Sequence, residues 1–299
     1  MDKISLIKQT ELFVLDMDGT YYLGDRILPG ARAFLDAVTD SGRDYLFFTN
    51  NSSKSPRDYI DKLARMDTPI TKERIMTSGD VMLEYLQAHH PGESIYLLGT
   101  PPLFESFEEA GIRPVNRDGD PGERPDLVVL GFDQTLTYAR LTAACTYIRE
   151  GAGFLATHPD INCPVDGGFI PDCGAMIAAM ALSTGVQPKI TGKPYSETLE
   201  AVIRHVNRVR EKDGRQPVKR EGVTFVGDRL YTDVATGVNN GAHGALVLSG
   251  ETTAYPPPAG EVPAASGFLP ESAVSAEPDA VYASLGEMGE ILRNSSINC

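Results

Sequence analysis

Cysteine is scarce in this sequence, and what there is lacks pattern. Among 299 residues only Cys145, Cys163, Cys173 and Cys299 occur, with no CxxC pair and no histidines at zinc spacing. A disulfide framework and a structural zinc site are therefore excluded, and free thiols are expected. Long hydrophobic runs are missing too: the most apolar stretch, residues 175–182, falls far short of the ~20 residues that a bilayer span needs. The opening MDKISLIKQTELFVLD has no uninterrupted apolar core of the kind a signal peptide carries. The expectation is a cytoplasmic protein with no membrane partner. Basic charge is short as well. With 27 Lys+Arg against 41 Asp+Glu the net charge is -14, a sign that repels the nucleic-acid backbone, so no nucleic acid is expected as a partner. No internal repeat precedes the C-terminal region, which removes solenoid and propeller architectures.

What is present is ordinary globular composition, with 41% hydrophobic and 23% charged residues, 29 Gly and 21 Pro. The length suits two domains. Short apolar runs followed by amphipathic helix patterns recur along the chain. That is the alternation of a parallel sheet with crossover helices, so the fold class is α/β. Strands are expected at 12–15, 45–48, 95–98, 127–130, 154–157, 189–191, 223–226 and 245–248. One helix between them carries Phe34, Leu35 and Val38 on one face; another opens on Ser55 as N-cap, Pro56 at the first helical position and Asp58 at the capping-box position. Further helices are expected over 80–89, 103–110, 138–150, 175–182, 196–208 and 233–240. The segment 252–277, rich in Pro, Ala, Gly and Ser, reads as a surface loop before a closing strand and helix within 280–292.

Three patterns match known signatures in letters and fail on context. Gly151-Ala152-Gly153-Phe154-Leu155-Ala156 fits a dinucleotide fingerprint, but it follows a helix and enters a strand, the reverse of what a pyrophosphate turn requires. Gly192-Lys193 lacks the Ser/Thr of a phosphate-binding P-loop, because Pro194 stands there. His89-His90 reads as cationic residues at a helix C-terminus, with no third metal ligand nearby.

The strongest signal follows the first apolar run. Leu12-Phe13-Val14-Leu15-Asp16-Met17-Asp18-Gly19-Thr20 sets two carboxylates directly after a strand, where Gly19 lets the backbone turn. In open α/β sheets, ligands bind beyond the carboxyl ends of the strands. Alone, the segment reads equally well as a polar Asp-Gly turn. Three more strand ends carry polar chemistry: Thr49-Asn50-Asn51, Thr191-Gly192-Lys193-Pro194, and Gly227-Asp228 with Asp233 five residues on. Each has a plain reading, with Thr49 and Asn50 as turn formers, Lys193 as a surface lysine and Asp233 as a helix N-cap. A hydroxyl, an amide, a lysine and four carboxylates, all at strand ends of one α/β chain, point to a joint site.

In that order, Asp-Met-Asp-Gly-Thr, Thr-Asn-Asn, Gly-Lys-Pro and Gly-Asp-Arg-Leu-Tyr-Thr-Asp resemble the four motifs of the haloacid dehalogenase superfamily of phosphohydrolases, over residues 16–233. Phe-Thr-Asn-Asn-Ser, His-Pro-Asp and Pro-Asp-Cys-Gly-Ala are similar to the NagD and 4-nitrophenylphosphatase-like branch. The resemblance implies a Rossmann-like core, with a mostly parallel sheet and helices on both faces, and a smaller α/β cap domain inserted between the second and third motifs. Spacing agrees: 31 positions separate Asp18 from Thr49 but 144 separate Thr49 from Lys193, against the ~30 residues of one crossover unit. The core is expected at 1–79 and 188–299, and the cap, which sets substrate specificity, at 80–187.

The chemistry implied is hydrolysis of a small phosphate monoester. A dianionic phosphate repels a carboxylate nucleophile, so charge must be neutralised and the reactants held in line. The resemblance makes Asp16 the nucleophile, giving an aspartyl-phosphate. Asp18 becomes the proton donor to the leaving oxygen and the acceptor from water. Magnesium is the implied cofactor, held by Asp16, the backbone carbonyl of Asp18, Asp228, and Asp233 directly or through water. Lys193 offsets the negative charge, and the Thr49 hydroxyl and Asn50 N–H, with Asn51 and Gly19 beside them, are candidates for holding phosphate. The loop 158–174, with a defined but non-repetitive backbone, is either a reader of the leaving group or a hinge, with Asp160, Asn162 and Asp166 as candidates. Substrate classes left open are nucleoside monophosphate, sugar phosphate, phosphoglycolate and pyridoxal phosphate. The alternatives are a phosphotransferase or mutase on the same fold, and a non-catalytic phosphometabolite-binding module; a dehalogenase has no need of Asp18. A homodimer is left open.

Overall fold

The computed structural model of the chain describes residues 1–119, 121, 123–165, 167–257 and 268–296. They form two compact units: one of Met1–Thr49, Ile60–Met76 and the chain from Lys193 on, the other of Asn50–Tyr59 and Thr77–Gly192.

The first unit is built on a six-stranded sheet in the order Ala280–Tyr282, His243–Val247, Val223–Gly227, Leu12–Leu15, Asp44–Thr49, Ile75–Thr77. From Ala280–Tyr282 through Asp44–Thr49 every pair is parallel. Leu12–Leu15 is buried along its whole length, as a strand covered on both faces must be. Its Phe13 ring meets Phe34 edge-on at 5.3 Å, which docks the helix Ala31–Asp40, and that helix packs on the closing helix Leu285–Ser296. Strand order runs outward from Leu12–Leu15 in both directions, so the winding reverses there, the position where ligands sit in open α/β sheets. Register does the rest. Leu15 lies beside Val226 on one side and Phe47 on the other, so Asp16, Asp228 and Thr49 leave the sheet at one edge.

The second unit has its own sheet of Lys189–Ile190, Gly153–Ala156, Leu127–Leu130 and Ile95–Leu98, with parallel pairs. Leu97, Val129 and Leu155 pack with Leu103 and Phe107 of the helix Pro101–Glu109. Both units thus have the mostly parallel α/β architecture that the motifs imply. Among the described residues, no helix is long and apolar enough to cross a membrane, and Cys145, Cys163 and Cys173 are free thiols.

Several elements depart from the expected bounds. The helix expected from 80 is Ser78–His89, because Thr77 and Asp80 form a capping box in which the Asp80 carboxylate takes the Thr77 N–H at 2.7 Å. Lys189–Ile190, expected with the first sheet, pairs instead with Gly153–Ala156, so the units change over at Gly192 and Lys193 rather than at 188. A two-residue strand has too few side chains to name its partner. The loop 158–174 contains an antiparallel hairpin, Asn162–Val165 with Gly168–Pro171. The helix expected over 233–240 starts as a π-helical turn, Leu230–Val234, before Ala235–Val238. Helix Lys3–Gln9, capped by the Asp2 carboxylate, is an addition. Within 252–277, Glu271–Val274 is a short helix, and 258–267 lies outside the described residues.

At the amino end of the first sheet, Asp44 is 6% exposed and accepts from Arg210 Nε at 2.8 Å and Arg215 Nη1 at 2.9 Å. Burial pushes its carboxyl up, but the hydrogen bonds from Arg215 and Arg210 outweigh this and hold it below the usual carboxylate range. Replacing Asp44 by Ala strands Arg210, itself 5% exposed, with one partner fewer. Asp44→Ala should cost about 3–5 kcal/mol in urea unfolding, and a loss under about 1 kcal/mol would mean the cluster behaves like an exposed ion pair. In the wild type this contribution is present above the unfolded carboxyl value of 3.8 and is lost as pH falls through the lower folded value.

Candidate active site

Three strand ends and one lysine converge in the first unit. Asp16 continues the ladder with its N–H on the Val226 carbonyl at 2.9 Å, and the turn after it closes on Met17, whose carbonyl accepts from Tyr21 N–H at 2.9 Å. Lys193, 3% exposed, places Nζ 2.7 Å from Asp16 Oδ1 and 2.5 Å from Asp233 Oδ1. Asp228 follows the strand Val223–Gly227, and its carboxylate accepts from the Glu251 N–H at 2.6 Å and the Thr20 hydroxyl at 3.4 Å. Asp233 lies in the π-helical turn, where Oδ2 accepts from the Arg229 N–H at 3.1 Å. Oxygens of Asp16, Asp228 and Asp233 come within 4.8 Å of one another. Glycines make room for them, Gly250 with a would-be Cβ 2.0 Å from Asp228 Oδ2 among them. At Gly19, where φ is +83°, a Cβ would stand 2.4 Å from Asp228 Oδ2, and at Gly227 it would stand 2.1 Å from Asp233 Oδ2, so any side chain there displaces a carboxylate.

Three carboxylates therefore face one ammonium. Burial drives the Asp16 carboxyl up; Lys193 opposes this, Asp233 and Asp228 add to it, and the group comes to about 8. Asp228 is pushed up to about 6, by burial first and by Asp233 second. Burial pulls the Lys193 ammonium down, but Asp16 and Asp233 outweigh it and hold it above its usual value. An ammonium 2.7 Å away favours an ionised Asp16, so the upward direction is set by burial, with Asp233 and Asp228 adding to it. Hard oxygen donors gathered this closely, two of them oriented by backbone N–H groups, fit Mg2+ in both chemistry and charge.

The other candidates are placed differently. Asp18 is exposed on the turn, bridged to Tyr22, and its carboxylate lies outside the three-carboxylate group. Thr49, half-buried, closes the strand Asp44–Thr49. Asn50 and Asn51 belong to the second unit. Buried Asn50 donates through Nδ2 to Asp160 Oδ1 at 2.9 Å, and Asn51 Oδ1 accepts from the Ser53 N–H at 2.9 Å. Asp160 is thus brought to Asn50, whereas Asn162 is exposed at the start of the hairpin and Asp166 lies outside the described residues.

Motif reading passed over two features. His158, fully buried, has Nδ1 3.9 Å from Asp160 Oδ1 and Nε2 3.6 Å from Asp172 Oδ1. The segment 249–251 supplies the Glu251 N–H to Asp228 and the Ser249 hydroxyl to the Gly19 carbonyl at 2.8 Å. A backbone donor has no letter in a motif; the one available sign was a Ser-Gly-Glu run soon after the strand His243–Val247.

Known proteins share this fold. A family model of haloacid dehalogenase-like hydrolases matches residues 13–113, and a HAD-hydrolase-like model matches 190–288. The acid sugar phosphatase of Staphylococcus aureus (strain MRSA252) is 33% identical over 247 residues, which cover 83% of this chain and 90% of the relative. The crystal structure of 4-nitrophenylphosphatase from Thermotoga maritima superposes with a TM-score of 0.80 at 40% identity, over 95% of this chain and 98% of that one. A solved chain described as a nagD protein gives 0.73 at 44% identity, over 82% and 91%. The chain belongs to the haloacid dehalogenase-like hydrolases. Within them it falls in the branch of NagD and 4-nitrophenylphosphatase, and it is a phosphatase.

The charge surplus has a measurable consequence. Carboxyls raised to about 8 and about 6 must lose their protons before they can ligate a cation, so apparent Mg2+ affinity should rise with pH between those values. Calorimetric titration in buffers of different ionisation enthalpy should show proton release on binding near the lower end of that range. Affinity independent of pH across it, with no proton released, would contradict the assignment.

Proposed function

We propose that this phosphatase hydrolyses a small phosphate monoester at Asp16 with Mg2+ as its cofactor. The observation that carries the reading is the buried Lys193 ammonium joined at 2.7 Å to Asp16 and at 2.5 Å to Asp233, with Asp228 beside them. Mg2+, when held by Asp16, Asp228, Asp233 and the backbone carbonyl of Asp18, supplies positive charge against the phosphoryl oxygens. Asp16 attacks phosphorus through a carboxylate oxygen, and that bond forms as the bond to the leaving oxygen breaks. Asp18, on its exposed turn, gives the leaving oxygen a proton. Water then adds to the phosphorus of the aspartyl-phosphate while Asp18 takes its proton; inorganic phosphate leaves and the Asp16 carboxylate is restored. Lys193 keeps Asp16 oriented throughout, and Thr49, the Asn50 N–H, Gly19 and Asn51 are assigned to the phosphoryl group.

The second unit, 50–59 and 77–192, is assigned as the specificity domain, with Asp160, Asn162 and Asp166 as its candidate readers of the leaving group. Carboxylates there favour hydroxyls or a cationic group over extra phosphates. Relatives named acid sugar phosphatase and 4-nitrophenylphosphatase support a small phosphate monoester, and the classes proposed remain sugar phosphate, nucleoside monophosphate, phosphoglycolate and pyridoxal phosphate. Free thiols suit a cytoplasmic setting.

Asp16→Asn should lower phosphate release from 4-nitrophenyl phosphate by at least about a thousandfold while the protein stays folded by circular dichroism, and retained turnover would remove Asp16 as nucleophile. Asp18→Asn should cost about 10²–10⁴ in kcat on an alkyl ester such as a sugar phosphate. The loss should be smaller on 4-nitrophenyl phosphate, whose leaving oxygen needs less protonation. Equal losses on both esters would count against a proton-donor role. A phosphate-release screen across a metabolite panel then identifies the substrate.

A further inference from the structure

Soon after the strand His243–Val247, residues 249–252 lie along the turns that carry the active-site carboxylates. The Ser249 hydroxyl donates to the Gly19 carbonyl at 2.8 Å, the Glu251 N–H to Asp228 Oδ2 at 2.6 Å and the Thr252 N–H to the Asp228 carbonyl at 3.2 Å. These contacts use main chain and one hydroxyl. The Glu251 side chain adds a second set: Oε2 lies 2.8 Å from Arg229 Nε, and Oε1 accepts from the Tyr231 hydroxyl at 2.9 Å. Both partners belong to the stretch that holds the neighbouring carboxylate. Tyr231 shares the π-helical turn Leu230–Val234 with Asp233, and the Arg229 N–H donates to Asp233 Oδ2 at 3.1 Å. The oxygens that gather are those of Asp16, Asp228 and Asp233, whereas the Glu251 oxygens lie on Arg229 and Tyr231.

We propose that Glu251 is a positioning residue of the active site, acting on Mg2+ binding through Asp228; the inference rests on the Mg2+ reading above. A peptide N–H directs a carboxylate only as firmly as its own segment is fixed, and 249–252 has no sheet ladder to fix it. The Glu251 carboxylate supplies the missing anchor. By holding Arg229 and Tyr231 it ties this segment to the stretch 229–231, so that its own N–H stays on Asp228 while the Arg229 N–H stays on Asp233. Groups behind a metal ligand that set its direction tune metal affinity in this way. A charge effect would behave differently. An anion near the site attracts a cation whatever hydrogen bonds it makes, whereas the anchor depends on the Tyr231 hydroxyl, which carries no charge.

The test is calorimetric titration of Mg2+ into the full chain, stripped with EDTA and desalted, at one fixed pH. Glu251→Ala should weaken Mg2+ binding at least about tenfold and Tyr231→Phe at least about threefold, with the circular dichroism of the metal-free wild type kept in both. Glu251→Gln, which still accepts from the Tyr231 hydroxyl, should lose less than Glu251→Ala. Unchanged affinity in Tyr231→Phe, with Glu251→Gln as weak as Glu251→Ala, would leave only a charge effect and overturn the positioning role. A lower metal-free unfolding midpoint with Mg2+ affinity unchanged would make the carboxylate structural, and would overturn it too. If Glu251→Ala does not fold, Tyr231→Phe, which lacks a single oxygen, decides alone. A wild type that takes up no Mg2+ would remove the metal reading and this inference with it, whereas a wild type and variants that bind Mg2+ equally would remove the inference only.

Discussion

A single buried ammonium makes this active site possible. At an effective dielectric constant of about 20, unit charges nearly 5 Å apart interact by roughly 3 kcal/mol, and the first unit gathers three carboxylates to within 4.8 Å. Their mutual repulsion and their desolvation together would drive them apart or neutralise them. Lys193 opposes both by bridging two of the three. It does not cancel the third, and burial first, with the neighbouring carboxylates adding to it, holds Asp16 and Asp228 above ordinary carboxylate values. The site is short of positive charge, the condition that favours a divalent cation.

What holds the arrangement is backbone more than side chain. The parallel register aligns Leu15 with Val226 and Phe47, so three strand ends finish at one edge. From there each carboxylate is aimed by a peptide N–H or by Lys193: Asp228 by Glu251, Asp233 by Arg229, Asp16 by the ammonium. Peptide donors do not rotate away, so little ordering is left for the moment of reaction. The glycines follow from the same economy of space. Gly19 and Gly250 lie against Asp228 and Gly227 against Asp233, and a methyl group at any of them would displace a carboxylate.

This division explains how much could be read in advance. Buried parallel strands are short apolar runs bounded by turns, and 12–15, 95–98 and 127–130 match Leu12–Leu15, Ile95–Leu98 and Leu127–Leu130. Polar residues at the ends of such runs stand out in the same way, so Asp16, Asp228, Asp233 and Lys193, which the structure brings together, were visible as a set. Pairing was not visible where the strand was too short to carry a pattern, as with Lys189–Ile190. Nor was the hairpin after His158, whose four-residue strands hold Pro164, Gly168 and Pro171, residue types that argue against a strand. The roles of Glu251 and Ser249 were hidden for a third reason, since a backbone N–H to Asp228 and a hydroxyl to the carbonyl of Gly19, 230 residues away, leave no mark in a motif.

Net charge was informative about some partners and silent about others, and screening explains the difference. At physiological ionic strength the field of an exposed charge fades over about 8 Å, less than the length of one strand of this sheet. A long polyanion or an anionic membrane meets many such patches at once and so responds to the overall -14. A small phosphate meets only the groups within a few ångströms. At the carboxyl edge of the sheet those groups are three acids organised around a lysine, and at the amino edge they are arginines organised around Asp44. The two edges therefore act as separate electrostatic environments on one scaffold. The net charge of the whole chain is what an extended polyanion meets, while the local clusters are what a small ion meets.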